Sequence, residues 1–464
     1  MTIWTYRDAL EELWRRSSYE RGLITNPFGA PEKAALGLRR TRALLAALGD
    51  PQLAAPLVHV AGSKGKGSTC AFIASAAQAA GLRAGFYSSP HLHRFPERIA
   101  IDGAPVSDEE FAAVAQLVAA AAAQVENAEP DLGTISTFEM ITAMAFLAFA
   151  RAQCDLAVIE VGLGGLYDST NVIDPLVSVI TRIDYEHTAV LGDSLTEIAQ
   201  QKAGIMRAGV PCVVSPQEPE AAQAIAQVAA ATGTPLVLGG RDWTWQGDWR
   251  AFSASGPWGD WGNLAVGIAG PHQVENACTA LAALHELSSR GVHISEDAIR
   301  LGLKTARWPG RFEQVETPGR HYVLDGAHTP AAARALAETW RDTFGEQQAT
   351  AIIGMGSDKD VPAFLTALSP ILRCVIATRA TSPRAAEPAA IVAAASGAGL
   401  PASEAPGVEA ALLQLAGEDS LVLATGSLFV AGEVREALGL AEPDREWAAI
   451  NAAHLAAPTG QKTG

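Results

Sequence analysis

The sequence is poor in the features that would place it outside a cell, in a membrane or on nucleic acid. Its five cysteines (Cys70, Cys154, Cys212, Cys278, Cys374) are an odd number, lie dozens of residues apart and include no Cys-x-x-Cys pair. That argues against a disulfide framework and a thiolate zinc site, and leaves small buried hydrophobes in a reducing compartment. No apolar run is long enough to span a bilayer: the most apolar stretch, 140–150, is bounded by Glu139 and Arg151. Met1–Tyr19 mixes Asp8, Glu11 and Glu12 with Arg7, Arg15 and Arg16 and lacks the apolar core of a signal peptide. Basic residues are scarce, 34 against 50 acidic ones, for a net charge of −16. A chain so acidic is disfavoured on a phosphate backbone, although backbone N–H groups, a lysine and a metal ion can still bind a nucleotide locally. The expectation is a soluble cytoplasmic protein with neither a membrane nor a nucleic-acid partner.

What the chain does have is a core. Hydrophobic residues make up 48% of 464 residues, enough for two domains of uneven size. Short apolar runs alternate with Ala-rich helical stretches, the pattern of parallel α/β architecture. Strands are expected at 57–61, 84–87, 156–161, 176–181 and 212–215, and in a second series at 322–324, 350–353, 374–377 and 421–424. Ser107 with Glu110, Ser136 with Glu139 and Ser194 with Glu197 have capping-box spacing at three helix starts. The segment 243–261 holds five of the ten tryptophans among Gly, Asp and Pro and reads as a twisted β-hairpin. Pro309 and Gly310 stop a helical stretch just before the second strand series. The expected division is 1–306, 307–440 and a polar tail, 441–464.

The strongest local signal is 58–69, Val-His-Val-Ala-Gly-Ser-Lys-Gly-Lys-Gly-Ser-Thr. A strand runs into glycines whose N–H groups can wrap a phosphate, Lys66 supplies a point charge, and Ser68 can reach magnesium. The strict Walker pattern is not met, because Gly67 separates Lys66 from Ser68. Parallel sheets bind ligands at the carboxyl ends of their strands. The next strands end in Ser89-Pro90-His91-Leu92, in Glu160-Val161-Gly162, and in a segment reaching Glu186-His187. Magnesium favours oxygen, so Glu160 is the expected anchor, with Ser68 and Ser89 weaker ligands. By itself, His187 reads as a capping or core histidine. Lys202, late in a capped helix, reads either as a cation complementing the helix dipole or as a lysine turned towards the metal.

These residues, taken in order, resemble folylpolyglutamate synthase and the bifunctional dihydrofolate synthase/folylpolyglutamate synthase of the Mur ligase superfamily. The segments that carry the resemblance are His59–Gly62 with Gly65–Ser68, Ser89–Leu92, Glu160–Gly165, Asp168–Asn171, Lys202–Ile205, His272–Ala277, Pro309–Glu313, Leu324–Pro330, Asp358–Asp360 and Thr425–Leu428. The resemblance implies an N-terminal P-loop ATPase domain with a mostly parallel sheet and a smaller C-terminal Rossmann-like α/β domain. It implies that Gly62, Gly65, Lys66, Gly67 and Ser68 hold ATP phosphates, and that Asn276, Arg311 and Asp325 contact ATP. Two magnesium sites are implied, one on Ser68, Ser89 and Glu160, the other on His187 and a carbamylated Lys202. Lys66, His187, Lys202, Arg311 and His328 are the implied catalytic set. The implied substrates are a folate or dihydropteroate, L-glutamate and ATP, in a monomeric enzyme. Gly37, Leu38, Arg39, Phe138, Glu139, Tyr167 and Asp168 are implied on the pterin side. For Phe138, plain helix-start packing competes with that role, and for Glu139 the capping box does.

Five positions depart from the family pattern: Lys64, Leu166, Tyr167, Gln201 and Thr329. The changes at 166 and 167 bear on substrate preference more than on ATP use. Three other readings compete: a Mur-type ligase for a peptidoglycan precursor, a nucleotide-binding switch without ligase activity, and an inactive binding module. A switch hydrolyses ATP with neither folate nor glutamate, whereas a ligase requires both.

Overall fold

The computed structural model describes residues 3–17, 26, 31–381, 384–417 and 420–456. Eight strands form the first sheet: β1 (Leu57–Ala61), β2 (Ala84–Tyr87), β3 (Ile99–Ile101), β4 (Ala104–Pro105), β5 (Leu156–Glu160), β6 (Val177–Ile180), β7 (Cys212–Val214) and β8 (Leu236–Leu238). Their order is β4-β3-β2-β5-β1-β6-β7-β8. From β2 to β8 neighbours run parallel, and β3 and β4 add an antiparallel edge. β1 and β5 are buried along their whole length, which is why they read as near-continuous apolar runs. Val58, Val60, Leu156 and Val158 pack with Phe72 and Ile73 on one face, while Ala157 and Ile159 pack with Met140 and Met144 on the other. Each such large side chain contributes about 2 kcal/mol of burial. Strands β2 and β5 lie to one side of β1 and β6 to β8 to the other, so a crevice opens beyond its carboxyl end.

The tryptophan-rich segment is a three-stranded antiparallel sheet, one strand more than a hairpin: β9 (Thr244–Asp248), β10 (Ala251–Gly256) and β11 (Gly259–Leu264). Trp243 is buried in the core of the first sheet, and Trp249 packs on that core and on the core of the last sheet. The last sheet comprises β12 (Glu313–Thr317), β13 (Arg320–Leu324), β14 (Ala349–Ile353), β15 (Leu372–Ala377), β16 (Ala402–Glu404) and β17 (Leu421–Thr425), in the order β12-β13-β17-β14-β15-β16. All neighbours are parallel except β12 and β13.

Two local expectations are corrected. At Ser107 only half the capping box forms: Ser107 accepts from the Glu110 amide, while the Glu110 carboxylate goes to Arg151 instead. The other two boxes close in both directions. The polar tail begins with a helix, Arg445–Ala456, that returns to the first helix, Tyr6–Arg16. Tyr6 donates to Asp444, Trp14 to Asn451, and Ile450 is buried. Alternation of Ala with polar residues hid this amphipathic contact; residues 457–464 lie outside the described residues.

Candidate active site

β1 ends at Ala61 and the helix Lys66–Ala79 begins after a four-residue loop, its first N–H groups lacking acceptors within the helix. Gly65 caps this helix with φ 87°, and a Cβ there would lie 2.1 Å from Asn276 Oδ1. Only glycine lets Asn276 approach so closely. Gly67, the residue that breaks the Walker spacing, faces Trp308: a Cβ would meet the indole Nε1 at 2.9 Å. Trp308 in turn leans on Phe86, ring centroids 5.2 Å apart.

Lys66 Nζ donates to the Gly62 carbonyl at 2.8 Å, and so does Lys202 Nζ, also at 2.8 Å. Lys202 is 1% exposed and pairs with Glu186 Oε1 at 2.7 Å. Of the two sequence readings, the inward one describes its position; the side chain does not serve the helix terminus. Burial, together with the nearby Lys66 charge, brings its pKa down to about 8 despite Glu186. For Glu186 burial acts upward, but Lys66 and Lys202 outweigh it and hold the carboxyl at about 2. Glu186 was missed in the sequence, where His187 drew attention as the rarer residue type. His187 itself is exposed, with φ 46°, and its side chain caps nothing.

Glu160 closes β5 at 5% exposure. Burial pushes its pKa up to about 7 against the opposing influence of Lys66, the Ser89 amide and Arg311. Its carboxylate accepts a long hydrogen bond from Ser89 N, 3.4 Å. Ser68 is buried in the first turn of the loop helix.

From the last sheet, Arg311 bears electrostatically on Glu160, Asp325 and His328. Lys359, whose ammonium pairs with Asp358 at 2.8 Å, bears electrostatically on both His187 and His328. Its segment was recognised in the sequence but no role attached to it. Both Asp325 oxygens are taken by backbone amides, Oδ2 by Phe312 and Oδ1 by Ala327, which braces the turn that carries Arg311. His328 Nδ1 pairs with the Gly326 carbonyl at 3.0 Å.

Beyond Glu160 the crevice continues over Gly162, where a Cβ would strike the Phe138 ring at 2.4 Å. Phe138 therefore both packs the helix start and lines this side. Asp168 is buried, with Leu163 N on Oδ2 and Thr170 N and Oγ1 on Oδ1, so it holds the 162–170 loop in shape. That loop packs on the Lys202 helix through Gly165 and Leu166, and half-buried Tyr167 rides on it. Glu139 closes its capping box and also accepts from Arg40 Nε and Nη2 at 3.0 and 2.8 Å. Gly37 lies against this pair and Leu38 is half-buried, whereas Arg39 is exposed. Arg40, one residue from the sequence choice, is the arginine facing inward; helix phase separates the two.

The donor set fits a divalent cation at one position. Among the described residues Glu160 is a buried carboxylate without an ion-pair partner, close to Ser89, and magnesium commonly completes such a set with phosphate oxygens and water. Among the described residues no three His, Cys, Asp or Glu side chains cluster as a protein-only cage. The second position offers one carboxylate, Glu186, beside a histidine and an ammonium, and suits a cation only once the ammonium charge is gone.

Two α/β sheets facing each other across a phosphate loop are the framework of a Mur ligase. Residues 60–284 match the Mur ligase middle domain, and residues 310–428 match the Mur ligase, glutamate ligase domain. The dihydrofolate synthase/folylpolyglutamate synthase of Bacillus subtilis is 34% identical over 87% of this chain and 95% of its own. The structure of E. coli FolC in complex with DHPP and ADP is similar with TM-score 0.80 at 31% identity, covering 94% of this chain and 98% of that one. A bifunctional folylpolyglutamate synthase/dihydrofolate synthase with Mn, AMPPNP and L-glutamate bound has TM-score 0.75 at 33% identity, over 87% and 94% of the two chains. The chain belongs to the folylpolyglutamate synthase/dihydrofolate synthase family, and is an ATP-dependent ligase. No helix among the described residues is long and apolar enough to cross a membrane.

Proposed function

We propose that the enzyme adds L-glutamate to a reduced folate, and also to dihydropteroate, with ATP activating the acceptor carboxylate. The observation that carries this reading is the convergence of Lys66, Lys202 and Glu160 around the carboxyl end of β1, opposite Arg311 and Lys359. The similar proteins solved with DHPP and ADP, and with Mn, AMPPNP and L-glutamate, support it. We read 1–306 and 307–440 as its two domains. We read the enzyme as a monomer, and the net charge of −16 is consistent with small-molecule rather than nucleic-acid partners.

A carboxylate oxygen is a poor leaving group. Transfer of the ATP γ-phosphoryl gives an acyl phosphate; the glutamate amine attacks it, and phosphate departs. Such transfer depends mainly on positioning and charge neutralisation. The Gly65–Ser68 amides and Lys66 hold the phosphates, while Arg311, Lys359 and His328 approach from the other sheet. Ser68, Ser89 and Glu160 would hold one magnesium ion, and His187 with Lys202 a second; bound there, they would supply Lewis-acid neutralisation of the phosphate oxygens. Arg40, Glu139, Phe138 and Tyr167 orient the pterin side.

Carbamylation of Lys202 is part of this reading. A pKa of about 8 leaves an accessible fraction of neutral amine, which adds to carbon dioxide with loss of a proton. The carbamate then sits beside Glu186, and two anions in a buried place require a cation between them. The test is phosphate release from ATP with magnesium, omitting tetrahydrofolate, dihydropteroate or glutamate in turn. Turnover that needs glutamate and a pterin supports the ligase; turnover with ATP alone overturns it.

A further inference from the structure

His93 lies on the loop that carries Ser89, and its side chain is 5% exposed. Among the described residues, the hydrogen-bond partners of its ring belong to the helix Leu428–Ala437 that follows β17. Nδ1 is 2.8 Å from Glu436 Oε1, and Arg435 Nε donates to Nε2 at 3.1 Å. Because an arginine Nε–H can only donate, Nε2 is the acceptor and the ring proton sits on Nδ1, donated to Glu436. Arg435 is fixed from behind by an ion pair with Glu313. Close packing continues the joint: a Cβ at Gly432 would come within 3.1 Å of the Leu92 carbonyl oxygen and 3.4 Å of the Leu92 side chain.

The loop between this joint and Ser89 is stiff. Glu97 accepts from the Leu92, His93 and Arg94 amides, Arg98 Nε donates to His91 Nδ1, and Ser88 N pairs with the Arg98 carbonyl. One end of the loop therefore rests on Glu160 through Ser89 N, and the other on the last sheet through His93.

We propose that His93 is a positioning residue for ligation, tying the Ser89 loop to the helix Leu428–Ala437 so that the metal side of the site is set only when the two sheets are together. The inference rests on the proposed ligase reading, with Ser89 and Glu160 as that metal side. Without the tie, water reaches the acyl phosphate. Its oxygen bonds to the acyl carbon as the carbon–oxygen bond to phosphorus breaks, returning carboxylate, phosphate and a proton, so ATP is spent without an amide.

The test uses the full chain with magnesium, ATP, tetrahydrofolate and L-glutamate, measuring phosphate release and glutamyl product together. In His93→Leu, amide formation should fall about tenfold and the phosphate-to-amide ratio rise about threefold or more, with ADP affinity within about twofold of the parent. His93→Gln can donate to Glu436 and accept from Arg435, and should return the ratio towards the parent value. Glu436→Leu, which leaves the loop's own sequence intact, should reproduce His93→Leu and serves if that variant does not fold. A parent ratio and rate in His93→Leu or, where that variant does not fold, in Glu436→Leu overturn the inference while leaving the ligase reading intact. A parent enzyme that forms no glutamyl product with either pterin overturns both.

Discussion

Lys66 and Lys202 donate to one and the same acceptor, the carbonyl of Gly62, each at 2.8 Å. Two ammonium groups on one carbonyl repel each other, and among the described residues Glu186 is the carboxylate paired with Lys202. The arrangement keeps positive charge concentrated beneath the phosphate loop, and burial makes Lys202 easier to convert to a neutral amine than an exposed lysine.

That conversion is measurable. With 13C-bicarbonate, the parent should show one slowly exchanging carbamate resonance that grows from pH 7 to pH 9, as Lys202 passes through about 8. Lys202→Arg should lack it and lose about 100-fold or more in kcat. An unlabelled parent at pH 9 contradicts the carbamate.

Glu160 is held for its function at a cost in stability. A carboxyl raised to about 7 in the fold and ordinary when unfolded favours folding below its unfolded value, and that contribution disappears as pH rises through 7. Glu160→Gln should therefore stabilise the ligand-free protein at pH 8, by about 3 kcal/mol, while abolishing turnover. Urea midpoints at pH 8 without magnesium test this; a destabilised variant contradicts it.

His59 has the opposite sign. It is 0% exposed, its Nε2 meets Thr170 Oγ1 at 2.8 Å, and burial brings its pKa down to about 3. A depressed histidine contributes stability above its unfolded pKa of about 6.5, and loses it as pH falls from there towards 3. Between pH 7 and pH 5 the parent should lose about 2 kcal/mol more than His59→Gln, compared by urea unfolding at both pH values.

Gly67 and Trp308 make a coupled pair. Gly67→Ala should raise the KM for ATP about tenfold, because the new methyl meets the indole at 2.9 Å. Adding Trp308→Phe should recover about 1 kcal/mol of that loss, a coupling read from the double-mutant cycle in kcat/KM. Strict additivity contradicts the contact.

Arg40 and Arg39 separate by burial. Arg40→Met leaves Glu139, 3% exposed, without its cation and should cost about 3 kcal/mol with a raised KM for folate. Arg39→Met, on the exposed face, should stay within about 0.5 kcal/mol of the parent. Thermal unfolding and folate titration distinguish the two.

Much of this site was legible in the sequence because its chemistry is local. The phosphate loop, the acid closing β5 and the order of β-strands follow from apolar runs and the residues that end them. What the sequence hid depends on contacts far along the chain. Glu186 becomes significant only because a helix sixteen residues on turns Lys202 into it. Arg40 rather than Arg39 follows from helix phase against a partner 99 residues away. Asp168 and Asp325 also accept from neighbouring amides, a loop-bracing role that the sequence does not show. The terminal helix is hidden in the sequence because its partners, Trp14 on the first helix and Phe95 beyond the second strand, lie hundreds of residues away.

The central claim is that ATP activates a pterin-linked carboxylate at this site. Tetrahydrofolate labelled with 18O in its glutamate carboxylate, incubated with the enzyme, ATP, magnesium and L-glutamate, tests it by mass spectrometry of the products. The account predicts one 18O atom carried into each phosphate released, together with a folate heavier by one glutamyl residue. Unlabelled phosphate released alongside the glutamylated folate would contradict it.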